Sequence, residues 1–131
     1  NGKAKMIEQA RRTNDYKADW VVEKIKNEAF IFEKDNGREA TIACMGLAFK
    51  PDIDDLREAP ALYIAQTLKA QGLEVLAVEP NISEYKDFEI VNYLYAINEA
   101  DVIVYLVGHK EFKSIKVFGK EVIDFCGVTN R

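Results

Sequence analysis

Hydrophobic positions along the chain follow two different rhythms. From Tyr16 to Glu33, the residues Ala18, Val22, Ile25, Ala29 and Phe32 recur at steps of four and three, which lines one face of a helix. A shorter helical pattern, Ala4 to Arg12, precedes it, and Thr13-Asn14-Asp15 is expected to break the two apart. Asp35-Asn36-Gly37 marks a turn. Beyond it the rhythm changes. Ala40 to Met45 is a short apolar run with β-branched members, read as a buried strand leading into Gly46. Pro60 suits the first turn of a helix whose inner face is Ala61, Ile64, Ala65 and Leu68, with Gly72 as its stop. Glu74 to Val78 reads as a second strand, and Val91 to Ala100 as a helix after an irregular stretch over Asn81 to Ile90. Val102 to Val107 is uninterrupted and apolar, as in a strand covered on both faces. A short helix near Glu111 to Phe118 and a last strand at Val122 to Asp124 complete the series. Strands alternating with helices in this way predict an α/β fold: a doubly wound, mainly parallel sheet behind an N-terminal helical arm over residues 1–36.

Composition narrows the possibilities. A chain of 131 residues that is 48% hydrophobic and 31% charged has the makeup of one folded domain rather than a disordered segment. No apolar run approaches the roughly 18 residues of a membrane span. A net charge of −4 argues against a nucleic-acid partner, though a local basic spot can still hold a small phosphate ligand. Two cysteines, Cys44 and Cys126, give neither a disulfide framework nor metal-site spacing, and the single histidine, His109, makes a histidine-based metal site a poor expectation. A reducing cytoplasm fits best. Asn1 is not an initiator methionine and no signal-peptide core follows it, so a piece of a longer cytoplasmic chain is the expectation.

The chemistry concentrates in Gly46-Leu47-Ala48-Phe49-Lys50-Pro51-Asp52-Ile53-Asp54-Asp55-Leu56-Arg57-Glu58-Ala59-Pro60, between the first strand and the next helix. In open α/β sheets ligands gather at that end of the strands. Lys50 and Arg57 supply positive charge, and amides of the helix after Pro60 attract anions, so the loop suits a phosphate-bearing ligand. Charge pattern alone favours a blander account, in which these cations pair with Asp52, Asp54, Asp55 and Glu58 on the surface. Gly46 stands by itself, without a G-x-G-x-x-G or Walker pattern, so a self-contained NAD site is not expected.

The stretch Gly46 to Ala61 resembles the signature of the C-terminal, nucleotide-sugar-binding domain of the UDP-glucose/GDP-mannose dehydrogenase family. Ala10-Arg11-Arg12-Thr13-Asn14-Asp15 is similar to the end of that family's central helix. Leu106 to Phe112 and Val122 to Val128 resemble its later strands. Within the family, Cys44 to Arg57 looks most like members that oxidise UDP-N-acetyl-D-mannosamine, with UDP-glucose as the alternative substrate. The resemblance implies a Rossmann-like domain over residues 37–131 that binds a UDP-sugar within an enzyme oxidising the sugar C6 alcohol to a carboxylate. It implies NAD as cofactor, bound mainly by an N-terminal domain absent from this sequence, and a homo-oligomer when full length. Phe49, Lys50 and Arg131 match substrate contacts, and Arg57 matches an arginine that reaches NAD. Neither the glycine fingerprint nor the glycine-rich catalytic cysteine segment occurs here, so the chain alone is expected to be inactive, with no catalytic residue of its own. A non-enzymatic doubly wound module, such as a signalling receiver, fits poorly, since the acidic cluster lies beside Lys50.

The remaining candidates favour structural roles. Cys44 reads as core, and Cys126 lacks a nearby base. His109 and Glu79 each end a strand. For His109 a satisfied buried histidine is the favoured reading, and Glu79 without a glycine fingerprint is not a ribose ligand. Many relatives carry serine where this chain has Ala59, so a helix cap is expected to be missing. Trp20, Val22 and Ile25 are expected to pack on the domain itself.

Overall fold

The computed structural model describes residues 2–48, 50–52, 56, 57 and 59–129, with only the backbone path given for residues 2–16. Helix α1 (Gly2–Asn36) leads into β1 (Thr41–Met45), α2 (Pro60–Ala70), β2 (Glu74–Val78), α3 (Tyr93–Glu99), β3 (Val102–Tyr105), a 3₁₀ turn (Lys110–Phe112) and β4 (Glu121–Asp124). All strand pairs are parallel and the order is β2-β1-β3-β4, the doubly wound arrangement expected. β1 is central, with Ile42 opposite Val75 on one side and Val102 on the other.

The two-residue side-chain period of the central strands feeds two cores. Ile42, Cys44, Val102 and Val104 face α1 and α2, where Val22, Ile25, Ile64 and Leu68 are buried. Ala43, Met45, Ile103 and Tyr105 face the other way, against Ala96, Phe112 and Val128. Both faces are covered, which accounts for the unbroken apolar runs. Trp20 is half exposed but stands edge-on to Phe125, ring centroids 6.3 Å apart. Arg38 closes a bidentate pair on Asp101, both bonds 2.9 Å, and Asp101 also accepts the Thr41 amide, tying the entry of β1 to that of β3.

Four local expectations need correction. α1 is one helix, with no break at Thr13-Asn14-Asp15. These residues each cost only a few tenths of a kcal/mol in a helix, and no glycine or proline stops the ladder. α3 begins at Tyr93, because the Asn92 side chain accepts the Leu94 amide at 2.8 Å and caps the helix there. β3 ends at Tyr105. The Leu106 and Val107 amides both converge on the Met45 carbonyl, at 3.0 and 3.3 Å, and the regular ladder stops. The helix expected over Glu111 to Phe118 is a single 3₁₀ turn, since Ile115 and Val117 alternate into the core as extended chain does. Helix α2 starts at Pro60 with Ala59 in extended backbone and no side-chain cap, as expected.

Candidate functional site

The carboxyl ends of β1, β2 and β3 meet at a compact polar network. β1 runs out at Gly46, whose φ of +99° suits glycine alone, and an added Cβ would lie 2.7 Å from the Val107 Cβ. A glycine here lets the loop after β1 pass tightly beside the loop after β3. Its amide donates to the Val78 carbonyl at 2.8 Å. Just beyond, Glu79 is 1% exposed and His109 0%. Glu79 Oε1 accepts the amides of Leu47 (2.9 Å) and Ala48 (3.0 Å) and the Nε2–H of His109 (2.8 Å). Its Oε2 accepts the amide and side-chain nitrogen of Asn81, each at 3.1 Å. Burial pushes this carboxyl up, but the donors from His109, Leu47 and Asn81 outweigh it and hold it below the usual carboxylate range.

His109 carries the network across to the loop. Its Nδ1 accepts the Asp52 amide at 2.7 Å, and the Asn81 side-chain nitrogen lies 3.3 Å away. With Nδ1 accepting, the proton belongs on Nε2, facing Glu79. Asp52 reciprocates, its Oδ1 accepting the Lys110 amide at 2.8 Å. Asp52 sits at φ 63°, a left-handed conformation that aspartate tolerates better than most residues. The histidine is the buried, satisfied residue expected, and every oxygen of Glu79 is committed inside the protein, leaving none for a ribose.

Lys50 is exposed and lies between these anchor points, two residues past Ala48 and two before Asp52. Arg57 is exposed further along the same loop, between buried Leu56 and Ala59. Phe49 and Arg131, the other expected contacts, lie outside the described residues. The segment that leads toward Arg131 is set by Asp124 at the end of β4. Its Oδ1 accepts the amides of Cys126 (3.1 Å), Gly127 (2.8 Å) and Val128 (3.2 Å). Its Oδ2 accepts the Thr129 amide (2.8 Å) and hydroxyl (2.6 Å).

Among the described residues, two recesses are defined nearby. One of about 300 Å³ beyond β2 is lined by Glu79, Ser83, Asn92, Tyr93 and Glu111. One of about 600 Å³ lies against Tyr105, Phe112, Lys113, Lys116 and Phe118. Neither is lined by Lys50 or Arg57. Burial pushes the Cys44 thiol up to about 12, and burial together with Asp124 pushes Cys126 up to about 11, so neither is poised as a thiolate. Among the described residues no cluster of metal-ligating side chains occurs, and no helix is long and apolar enough to cross a membrane.

A parallel sheet whose central strand ends in a long loop bearing Lys50 and Arg57 has the architecture in which α/β domains bind ligands. Residues 43–131 match the UDP-glucose/GDP-mannose dehydrogenase family, UDP binding domain, and the chain belongs to that family. It is 45% identical over 131 residues to a UDP-N-acetyl-D-mannosamine dehydrogenase of Campylobacter jejuni, covering 94% of this chain and 30% of the relative. A Ralstonia nicotianae NDP-N-acetyl-D-galactosaminuronic acid dehydrogenase is 39% identical over 133 residues, covering 95% of this chain and 30% of that protein. The solved UDP-N-acetyl-mannosamine dehydrogenase of Staphylococcus aureus superposes with a TM-score of 0.76 at 28% identity, over 98% of this chain and 31% of that one. The chain thus spans about a third of the length of the relatives it matches.

The resemblance read from the Gly46 to Ala61 stretch is therefore the right family, and the doubly wound fold is the right architecture. Sequence reasoning missed the joining of Glu79, His109 and Asp52. The available signal was Glu79 placed directly after one apolar run and His109 one glycine after another.

Proposed function

We propose that this chain is the UDP-sugar-binding domain of an NAD-dependent UDP-N-acetyl-D-mannosamine dehydrogenase. The observation that carries this reading is the family match over residues 43–131, taken with the exposed Lys50 held between two anchored points of the loop after β1. A lysine there acts as a point charge on the pyrophosphate or the polar groups of the sugar, with Phe49 and Arg131 as further substrate contacts. The complete enzyme would oxidise the C6 alcohol to the carboxylate by two hydride transfers to NAD, water supplying the second oxygen. The residues present here do not by themselves make a dinucleotide site: there is no glycine fingerprint, and Glu79 is fully occupied. NAD would be held chiefly by another part of the enzyme, with Arg57 reaching its pyrophosphate across the gap. Residues 1–36 serve as the helical arm toward that part, and the full enzyme is a cytoplasmic homo-oligomer.

Titration of the 131-residue chain with UDP, UDP-N-acetylmannosamine, UDP-glucose and NAD, followed by amide chemical shifts, tests the reading. UDP and its sugars should bind saturably with shifts centred on residues 46–52, and NAD alone should not. Absence of UDP binding, or shifts confined to other segments, would refute it. In the full-length enzyme, Lys50→Ala should chiefly raise KM for the nucleotide sugar and Arg57→Ala that for NAD. Unchanged kinetics in both variants would remove these roles.

A further inference from the structure

We infer that Glu79 and His109 are positioning residues: together they hold the loop carrying Lys50 in its ligand-binding geometry. The inference rests on the reading that UDP binds at that loop. β2 and β3 flank β1, so a bond between Glu79 and His109 spans the carboxyl end of β1, where Gly46 carries no side chain. Glu79 pins the first part of the loop through the Leu47 and Ala48 amides, and His109 pins the later part through the Asp52 amide. The return bond from the Lys110 amide to Asp52 Oδ1 locks the two loops together.

Burying a carboxylate and an imidazole costs free energy that apolar packing would not. Two features point beyond general packing. Among the described residues, the donors to Glu79 are loop groups at the ends of β1 and β2 together with His109 beyond the end of β3, and none comes from a helix or from within a strand. The network also stabilises the left-handed backbone at Asp52, two residues from Lys50. An exposed lysine on an unanchored loop would lose affinity to the entropy of ordering. A loop stapled at both ends presents its ammonium already placed.

The test uses the 131-residue chain, amide hydrogen exchange and UDP titration in a double-mutant cycle. His109→Phe keeps a planar ring against Phe112, whose centroid lies 5.6 Å from that of His109, and removes both hydrogen bonds. It should speed exchange at Asp52 and Lys110 on the order of tenfold or more, leave the β1 and β3 amides protected, and weaken UDP binding on the order of tenfold. Lys50→Ala should weaken UDP binding while leaving Asp52 exchange unchanged. In the His109→Phe background it should cost clearly less than in the native chain, because the lysine is no longer held in place. His109→Gln, whose amide nitrogen can take the place of Nε2 as donor to Glu79 while no group then stands where Nδ1 accepts the Asp52 amide, is the second variant should the phenylalanine not fold. It should speed exchange at Asp52 and Lys110 and spare Leu47 and Ala48. Unchanged exchange at Asp52, or full additivity of the two substitutions in UDP affinity, would overturn the positioning role. Failure of the native chain to bind UDP would instead overturn the ligand reading, and the exchange result would stand apart from it.

Discussion

Asp124→Asn tests how much a single carboxylate contributes at the end of β4. Five donors surround the native side chain at 2.6 to 3.2 Å, four of them backbone amides. Burial pushes the Asp124 carboxyl up, but the Thr129 hydroxyl and the amides outweigh it and hold it at about 2, against an ordinary 3.8. Lowering the carboxyl from 3.8 to about 2 corresponds to about 2 kcal/mol, and partial exposure brings the expected contribution to about 1–2 kcal/mol. Because the folded value lies below the unfolded one, this stability is complete above roughly pH 4–5 and is lost as pH falls toward 2. Asparagine keeps the shape, but its NH₂ faces donors and cannot accept from them. Urea unfolding of both chains from pH 7 to pH 2, followed by far-UV circular dichroism, measures the difference directly. The gap should stay near 1–2 kcal/mol down to about pH 5, then narrow and nearly vanish at pH 2. A gap of constant size across that range, or none at pH 7, would refute the argument.

Gly46→Ala should destabilise by about 2–4 kcal/mol, since it combines a positive φ with a Cβ 2.7 Å from the Val107 Cβ. Adding Val107→Ala should bring no relief, because the clash is with the Cβ itself; recovery in that double variant, read by urea unfolding, would show the close approach to be misjudged. Ala59→Ser supplies the missing cap of α2 and should raise stability by about 0.5–1 kcal/mol, visible as a Tm increase of a few degrees. An unchanged Tm would mean that the α2 amides are already satisfied.

The strands were legible because β1 and β3 are buried on both faces, which leaves runs such as Val102 to Tyr105 without a polar interruption. The start of α2 was legible because Pro60 marks a first turn whatever packs around it. What escaped were outcomes of competition between weak local preferences and tertiary contacts. Thr13-Asn14-Asp15 looks like a break, yet such residues slow a helix without stopping it. Ile115 and Val117 carry a helical neighbourhood in sequence, but their contacts beneath the sheet draw the chain out straight. The polar network was hidden for a different reason. Glu79 and His109 belong to strands separated by β1, and only the strand order shows that their ends converge. That Lys50 and Arg57 lie in the segment between β1 and α2 follows from sequence position alone.

The central place of β1 has a further consequence for the order in which the molecule can assemble. During synthesis this strand emerges long before either neighbour, and its second edge stays unsatisfied until Val102, the partner of Ile42, has been made. Contacts so distant in sequence make for slow folding, and an apolar strand with an open edge is prone to pairing with other chains. A nascent chain halted between β2 and β3 would therefore be the species most in need of a chaperone, with α1 and α2 shielding only one side of it.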